Sequence, residues 1–222
     1  GPMLEPQALD WLAENGFPVP SFRFAKTERE AVEGCRDVGY PVAVKIVSPQ
    51  ISHKSDVGGV ILDVGDDEEA RQAFRKLAEI GSGRDFRGAL ITPMVDDAQE
   101  VLLGLSEDSQ FGPVVAFGLG GIYTEIWQDI ALRVAPIDRL EAEAMMAEIT
   151  SFPLLEGVRG EPSRDLDALV DVLVRFSQLP FRYRGLRELD LNPVFLFRKG
   201  QGLVVGDVRV MTHDGTEARA TK

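Results

Sequence analysis

Apolar residues recur at helical spacing in five stretches of the chain, and each stretch predicts an amphipathic helix. The predicted helices cover residues 5–15, 27–38, 66–79, 138–149 and 165–178. Two of these helices carry clear start signals. Thr27 followed by Glu30 is a capping-box pattern, and the acids at positions 66–69 stand where a helix dipole favours negative charge.

Short apolar runs, several rich in β-branched residues, predict strands in the remaining segments. They cover residues 21–25, 41–47, 60–64, 88–95, 99–108, 111–121, 186–197 and 203–211, and residues 123–136 also fit a strand. The runs at 186–197 and 203–211 flank the turn at 199–202 and predict a hairpin. Strands and helices do not alternate strictly, which favours an α+β fold with mostly antiparallel sheets. We place a division near residue 94, which gives an N-terminal lobe over 4–94, a C-terminal lobe over 95–211 and a polar tail over 212–222.

The composition is that of a globular protein with an internal core, since 44% of the 222 residues are hydrophobic and 27% are charged. No stretch reaches the roughly 18–20 apolar residues of a membrane helix, and no signal-peptide pattern is present. Residues 1–3 resemble a tag remnant before a start methionine. Cys35 is the one cysteine, which fits a reducing cytosol and predicts a cytoplasmic location. Its place at the end of a helical pattern indicates a packing residue.

The net charge of −12 disfavours nucleic acid as a partner, because an acidic surface repels the phosphate backbone. No basic stripe with interleaved aromatic residues offsets this charge. A single nucleotide remains compatible with the composition. It requires only a few cations at the phosphates and a divalent metal held by acidic side chains.

Lys45 interrupts the apolar strand of residues 41–47. Strand alternation places it on one face with Ala43 and Val47. A lone lysine on such a half-buried face is either a solvated residue or a charge directed into a cleft, where it would suit a phosphate group. The strand alone leaves both readings open.

The segment from His53 to Val60 follows that strand and combines His, Lys, Ser, Asp and two adjacent glycines. Gly58 and Gly59 allow positive φ and close backbone approach, which suits a loop around phosphates. An ordinary hairpin turn has the same composition. A neutral imidazole at His53 could accept a phosphoryl group, although a surface histidine in a polar loop explains it equally well.

The predicted C-terminal hairpin places oxygen-bearing side chains on one sheet face. Glu188, Asp190 and Asn192 alternate along the first strand and therefore share a face. Strand pairing puts Asp190 and Asn192 across from residues 208–211 and Asp207 within about one pair of Asn192. Such a cluster is self-repelling without a cation, so the pattern predicts a magnesium site.

A glycine-rich stretch follows the strand of residues 111–121 and includes Phe111-Gly112-Pro113 and Gly118-Leu119-Gly120-Gly121, with Glu125 and Asp129 beyond it. Glycines after a strand can form an anion nest or admit a partner loop. The spacing is not that of a dinucleotide fingerprint, and no P-loop, HExxH, GxSxG or CxxC motif is present.

These segments, in this order, resemble the ATP-grasp domain of ADP-forming (NDP-forming) acyl-CoA synthetases, often named acetate–CoA ligases. A more distant similarity is to the β subunit of succinyl-CoA synthetase. The resemblance spans residues 5–211 and is carried by PVAVKIVSPQISHKSDVGGV, ITPMVDDAQEVLLGLSEDSQFGPVVAFGLGG, YTEIWQDIALRVAPI, and LRELDLNPV with VVGDVRV. It implies an ATP-grasp fold, in which two α+β lobes with mostly antiparallel sheets clamp a nucleotide.

The resemblance also implies a role for each matching position. In the N-terminal lobe it implies that Lys45 contacts the phosphates. The implied loop over the phosphates contains His53, Lys54, Ser55, Gly58 and Gly59. The implied adenine hinge comprises Thr92, Pro93, Met94 and Val95. Glu100 is implied as an acid that helps to hold the nucleotide. The implied magnesium ligands are Asp190, Asn192 and Asp207. The FGP and GLGG segments with Glu125 are implied to line the docking area of a partner's phosphohistidine loop.

The resemblance implies reversible conversion of acyl-CoA, ADP and phosphate into acid, CoA and ATP, with ATP/ADP and Mg²⁺ as cofactors. His53 matches a histidine proposed to take a phosphoryl group transiently, so His53 and Glu125 are the implied catalytic residues. The last strand departs from the family's Asp-Ala-Arg pattern because Val208 follows Asp207. No CoA-binding domain is present. We therefore expect a separate β subunit or one domain of a longer chain, with a CoA-binding α subunit or N-terminal domains as partner.

Two other functions remain open. ATP-grasp domains also occur in large protein acetyltransferases, where this region would be a regulatory or ligand-sensing module. A scaffold that binds no nucleotide is the third interpretation. The chain retains the residues that an active phosphotransfer site needs, and this favours catalysis. They are Lys45, His53, Asp190, Asn192 and Asp207.

Overall fold

A computed structural model describes residues 2–120, 129–158, 160, 162–213 and 219–220. The chain forms two units. The larger comprises Gly1–Met3, Leu12–Val19 and Asp97–Lys222, and the smaller comprises Leu4–Trp11 and Pro20–Asp96. The predicted lobe boundary near residue 94 lies close to the passage from Asp96 to Asp97. In the described part of the chain, no helix has the length and apolar character needed to cross a membrane.

The smaller unit contains a four-stranded antiparallel sheet with the order β2-β5-β3-β4. Its strands are β2 (Arg23–Ala25), β3 (Val42–Val47), β4 (Val60–Val64) and β5 (Gly88–Pro93). Two helices, α2 (Glu28–Val38) and α3 (Asp67–Ile80), pack their apolar faces on this sheet, and together they bury a core of alanine, valine, isoleucine and leucine side chains. Helix α1 (Glu5–Glu14) begins in this unit.

Side chains cap the starts of α2 and α3, although the capping box predicted at Thr27 forms only in part. The Thr27 hydroxyl accepts from the Glu30 amide at 3.2 Å, while the Glu30 carboxylate accepts from the Lys26 amide at 2.7 Å rather than from Thr27. Asp66 lies one residue before α3, and its carboxylate accepts from the Glu68 and Glu69 amides, each at 2.9 Å. These side chains satisfy backbone donors that have no partner within the first helical turn.

The larger unit contains a sheet in which seven strands are assigned among the described residues, with the order β1-β12-β10-β6-β7-β8 and β11 paired to β10. Its strands are β1 (Pro2–Met3), β6 (Gln99–Asp108), β7 (Gly112–Leu119), β8 (Ile130–Val134), β10 (Leu186–Leu196), β11 (Leu203–Val205) and β12 (Val208–Thr212). A separate pair joins β9 (Tyr183–Arg184) to β13 (Arg219–Ala220). The helices are α4 (Arg139–Glu148), α5 (Pro153–Glu156) and α6 (Leu166–Arg182). The strands of both sheets pair antiparallel throughout the described residues, so the predicted α+β architecture is confirmed.

Several element boundaries differ from the predicted ones. Helix α6 runs four residues beyond the predicted end at 178, with Pro180 in its last turn. Of the predicted strand at 123–136, residues 130–134 form β8 and residues 123–128 lie outside the described residues. The expected tag remnant includes β1, which pairs with Val210 and Met211. The expected polar tail includes β13.

Cys35 has the packing role that its position predicted. The side chain is buried in the core of the smaller unit. Burial, with the nearby Asp67 carboxylate as a smaller contribution, raises the pKa of the thiol to about 11. A thiol that stays protonated at neutral pH is a poor nucleophile.

Candidate functional site

Lys45 lies in the middle of β3, where Leu90 on β5 and Val60 on β4 are its neighbours across the sheet. All six residues of this strand are buried, so the prediction of a half-buried face is wrong. Helices cover one face of the sheet, and the face that carries Lys45 is buried as well. Only 11% of the Lys45 side chain is exposed, and its Nζ lies 3.9 Å from Glu5 Oε1. The solvated-face reading of Lys45 therefore fails.

Glu5 is the residue that sequence reasoning missed. Its side chain is 4% exposed, and Oε2 lies 2.8 Å from Lys54 Nζ, which is itself on a side chain with 11% exposure. A signal was present in the helical spacing. Glu5 occupies the same stripe of α1 as the buried residues Ala8, Leu9 and Leu12, a pattern that directs a carboxylate into the protein.

The three charged groups form a cluster, Glu5–Lys45–Lys54, that combines two ammonium groups with one carboxylate. Its formal charge is therefore +1. Charge interactions are stronger in a partly desolvated setting than in water, and a buried charge is tolerated when it is paired. Two ammonium groups held at one buried carboxylate are groups suited to binding a phosphate anion.

The loop before β4 is shaped by its two glycines. Residues Ser55–Val57 form one 3₁₀ turn, and Gly58 ends it with φ +69°, a left-handed conformation. The Gly59 amide donates to the Lys54 carbonyl at 2.7 Å, and the Ile46 amide donates to the Gly59 carbonyl at 2.8 Å. A Cβ on Gly59 would lie 2.5 Å from Ile46 Cγ2. Both glycines are thus required by the backbone path, which holds the loop against β3.

His53 and Ser55 lie in this loop and are exposed. The neighbouring Lys54 side chain is turned inward to Glu5. The structure thus brings Lys45 and Lys54 together at one carboxylate, while the imidazole of His53 faces solvent. An exposed imidazole is accessible to an incoming phosphoryl donor.

The predicted adenine hinge is formed by the end of β5 and the residues after it. Thr92 is buried and pairs with Ala43 on β3. The Met94 thioether accepts from the Asp63 amide at 3.5 Å. Pro93 and Val95 are half-buried. This places the hinge residues beside the strand that carries Lys45, within the same sheet.

Glu100 belongs to the larger unit, on β6 opposite Phe195 of β10. Its carbonyl accepts from the Gly120 amide at 2.9 Å. A Cβ on Gly120 would lie 3.0 Å from Glu100 Cβ, so the glycine permits this close approach. Gly120 therefore lies directly against the acid that the resemblance singled out.

The predicted metal residues lie on the hairpin of β10 with β11 and β12. Asp190 and Asp207 are half-buried and Asn192 is exposed. The register of β10 against its other neighbour, β6, shifts between Leu191 and Val194. At this irregularity the Asn192 amide donates to the Asp207 carbonyl at 3.2 Å, which confirms the predicted proximity of these two residues.

The acids of this face are not left to repel one another, as the sequence predicted, because a cation of the chain lies beside them. Arg209 on β12 is directly opposite Asp190, and its guanidinium lies 3.6 Å from the Glu188 carboxylate. The acids are therefore partly neutralised by a cation of the chain itself. Among the described residues, no three His, Cys, Asp or Glu side chains are grouped so that they could hold a metal ion.

Asp190, Asp207 and the amide oxygen of Asn192 still fit magnesium chemistry. Mg²⁺ in nucleotide sites is held by one or two carboxylates together with substrate phosphates and water. A set of two carboxylates and one amide meets that requirement without a third acid. When bound, the ion would neutralise charge on the phosphates.

Two acids beside the remaining glycine-rich segments, Asp108 and Asp129, accept hydrogen bonds from backbone amides. Asp108 closes the turn between β6 and β7, where its carboxylate accepts from the Gln110 and Phe111 amides at 2.8 and 2.9 Å. Both hydrogen bonds lower the pKa of Asp108, and the bond from the Phe111 amide contributes most. Asp129 accepts from the Thr150 and Ser151 amides and has a structural role. Glu125, predicted as catalytic, and Gly121 lie outside the described residues.

Both units are built on antiparallel sheets. The smaller unit carries a buried lysine on a strand beside a glycine loop, and the larger unit carries a hairpin with carboxylates. These are the features of an ATP-grasp protein. The profile of the ATP-grasp domain family matches residues 2–211. The β subunit of the ADP-forming acetate–CoA ligase I of Pyrococcus furiosus is 44% identical over 200 residues, which cover 88% of this chain and 86% of that subunit. The chain therefore belongs to the ATP-grasp family, in the group of ADP-forming acetate–CoA ligase β subunits.

Other relatives carry the same region within longer proteins. The ADP-forming 4-hydroxybutyrate–CoA ligase of Nitrosopumilus maritimus is 39% identical over 212 residues, which cover 94% of this chain and 30% of that protein. The β subunit of succinate–CoA ligase from Natronomonas pharaonis is 36% identical over 117 residues, half of this chain. That match confirms the predicted distant similarity.

A solved structure supports the fold. Acetyl-CoA synthetase 1 of Ca. Korarchaeum cryptofilum, in complex with coenzyme A and Mg-AMPPCP, has a TM-score of 0.82 and 38% identity, covering 96% of this chain and 93% of that chain. In that structure the phosphohistidine segment points towards the nucleotide binding site. The ATP-grasp fold of the present chain is thereby confirmed, whereas the roles of its individual residues stay predictions.

Proposed function

We propose that this chain is the nucleotide-binding phosphotransfer part of an ADP-forming acyl-CoA synthetase, an acid–thiol ligase. The overall reaction converts acyl-CoA, ADP and phosphate into the acid, CoA and ATP, and it is reversible. The observation that carries the proposal is that two buried ammonium groups, those of Lys45 and Lys54, meet at the Glu5 carboxylate beside a glycine loop. Nucleotide phosphates are the anions that a chain of this family would place there.

Each unit carries residues of its own for the proposed function. The smaller unit supplies Lys45 and Lys54 for the phosphates and the hinge around Thr92 and Met94 for the base. The larger unit supplies Asp190, Asn192 and Asp207 as ligands for Mg²⁺, with Glu100 as a further acid. Since phosphoryl transfer depends mainly on positioning and charge neutralisation, these side chains supply what the step requires.

The phosphoryl step is a displacement at phosphorus. The bond between phosphorus and a histidine nitrogen breaks, and a bond forms between phosphorus and a terminal β-phosphate oxygen of ADP. ATP and a neutral histidine result. We assign the primary phosphohistidine to the partner and give His53 the role of a relay, because its imidazole is exposed in the loop that carries Lys54. The phosphoryl group would be accepted by the lone pair of an unprotonated ring nitrogen of the imidazole.

The proposed partner carries the CoA-binding domains and the primary phosphohistidine. Relatives of this chain occur as β subunits and as about a third of longer ligases, so the same region works with further domains in both arrangements. Selection of the acid would belong to those domains. The present chain would contribute nucleotide binding and the final phosphoryl transfer.

Reconstitution tests the proposal. The chain is mixed with a CoA-binding partner subunit of the family, and ATP formation from acetyl-CoA, ADP and phosphate is followed with luciferase. We expect ATP only when both components and magnesium are present, and none with Lys45→Ala. The matched control is Lys76→Ala, because Lys76 is an exposed lysine of the same unit. A stable complex that makes no ATP, or a partner that makes ATP alone, would contradict the proposal.

A further inference from the structure

The carboxylate of Glu5 joins three separate elements of the smaller unit. Glu5 lies in the first turn of α1, Lys45 in the middle of β3, and Lys54 at the start of the 3₁₀ turn. One carboxylate oxygen lies 2.8 Å from Lys54 Nζ and the other lies 3.9 Å from Lys45 Nζ. The Glu5 side chain is thus shared between both lysines.

Stability alone is a weak reason for such an arrangement. Removing two ammonium groups and a carboxylate from water costs free energy that their mutual attraction repays only in part. An apolar side chain at position 5 would continue the stripe of Ala8, Leu9 and Leu12 without that cost. The charged arrangement therefore points to a role in orienting the lysines.

The backbone of Lys54 is fixed, whereas the direction of its long side chain is not. The Lys54 carbonyl accepts from the Gly59 amide at 2.7 Å, which anchors the residue in the loop. Four rotatable bonds still separate that anchor from Nζ. The contact with Glu5 selects an inward direction and brings the ammonium group to the same carboxylate as Lys45.

We infer that Glu5 is a positioning residue that holds the ammonium groups of Lys45 and Lys54 together so that both contact the phosphates of a bound nucleotide. This inference rests on the proposed function, because it takes the ligand of the lysines to be a nucleotide. Glu5 itself contacts no phosphate. Without its charge, two neighbouring ammonium groups would repel each other.

Loss of the Glu5 charge should weaken contacts with the phosphates of the nucleotide and leave contacts with its base unchanged. Glu5→Gln keeps the shape of the side chain and removes its charge. ADP binding should weaken about tenfold to a hundredfold, which is the range for a lost hydrogen bond to a charged group. Adenosine lacks phosphates, so its affinity should stay unchanged. A general loss of structure would weaken both ligands.

Calorimetric titration of ADP and adenosine into the chain, with magnesium present, tests this expectation. The matched control is Glu14→Gln, the same chemical change at an exposed position of the same helix. Glu5→Asp keeps the charge on a shorter side chain and should bind ADP more tightly than Glu5→Gln. If Glu5→Gln does not fold, Glu5→Asp provides the test, with ADP weakened about threefold and adenosine unaffected.

The outcomes distinguish the two proposals. Equal ADP affinity in Glu5→Gln and Glu14→Gln would overturn the positioning role and leave nucleotide binding intact. Tighter ADP binding in Glu5→Gln would also overturn it, because Glu5 would then merely compete with phosphate for the lysines. Failure of the unmodified chain to bind ADP would contradict the proposed function, and the positioning role would fall with it.

Discussion

Replacing Gly59 by alanine adds one methyl group where the structure leaves no room for it. The new Cβ would lie 2.5 Å from Ile46 Cγ2 and 3.0 Å from the Lys54 carbonyl oxygen. Neither neighbour can move freely. Ile46 is buried in the core, and the Lys54 carbonyl is held by its bond from the Gly59 amide.

The expected cost follows from these two contacts. Overpacking in a dense core costs about 1–3 kcal/mol, and it exceeds the gain of about 0.4–1 kcal/mol that Gly→Ala brings by restricting the unfolded chain. We therefore expect Gly59→Ala to lower the free energy of unfolding by about 1–2 kcal/mol. The displaced carbonyl belongs to Lys54, so ADP affinity should fall as well.

Urea denaturation followed by circular dichroism measures the free energy of unfolding. Gly65→Ala is the matched control in the same unit, because its nearest neighbour would be the flexible end of Glu69, at 3.4 Å. We expect the control to be neutral or slightly stabilised. Equal unfolding free energies for Gly59→Ala and Gly65→Ala would refute the account of how the loop is held against β3.

Three further predictions concern other parts of the chain. Asp66→Ala should lower the free energy of unfolding by about 1 kcal/mol, because the Glu68 and Glu69 amides lose their acceptor; an unchanged urea midpoint would contradict this. The Cys35 thiol, with its pKa raised to about 11, stays protonated at pH 8, so Ellman's reagent should label it slowly in the native protein and rapidly in urea. Fast native labelling would contradict its burial. His53→Ala should keep ADP affinity within about twofold, since the imidazole is exposed. It should abolish ATP formation in the reconstituted enzyme. Full turnover by this variant would contradict the relay role of His53.

Helix starts were predictable from the sequence because capping is local. The Thr27 hydroxyl and the Asp66 carboxylate reach amides only two or three residues further along the chain. The alternation of Glu188, Asp190 and Asn192 was equally local, since a strand places every second residue on one face. Predictions of this kind need no knowledge of the tertiary structure.

The partners of charged side chains could not be predicted in the same way. Glu5 and Lys45 are far apart in sequence and meet only because α1 and β3 belong to the same unit. Arg209 neutralises Glu188 through the pairing of β10 with β12, and the register of that pairing shifts between Leu186 and Glu188. Sheet membership is also non-local, since the consecutive strands β5 and β6 belong to different sheets.

Calorimetric titration of ADP, with magnesium and then with EDTA, tests whether the chain binds a magnesium nucleotide through Lys45 and Asn192. We predict magnesium-dependent binding that disappears in Lys45→Ala and in Asn192→Ala and is retained in Lys76→Ala. Loss in the first two variants would tie the nucleotide to the buried lysine cluster and to the carboxylate hairpin. No binding of ADP with magnesium, or equal binding by all four proteins, would contradict the account.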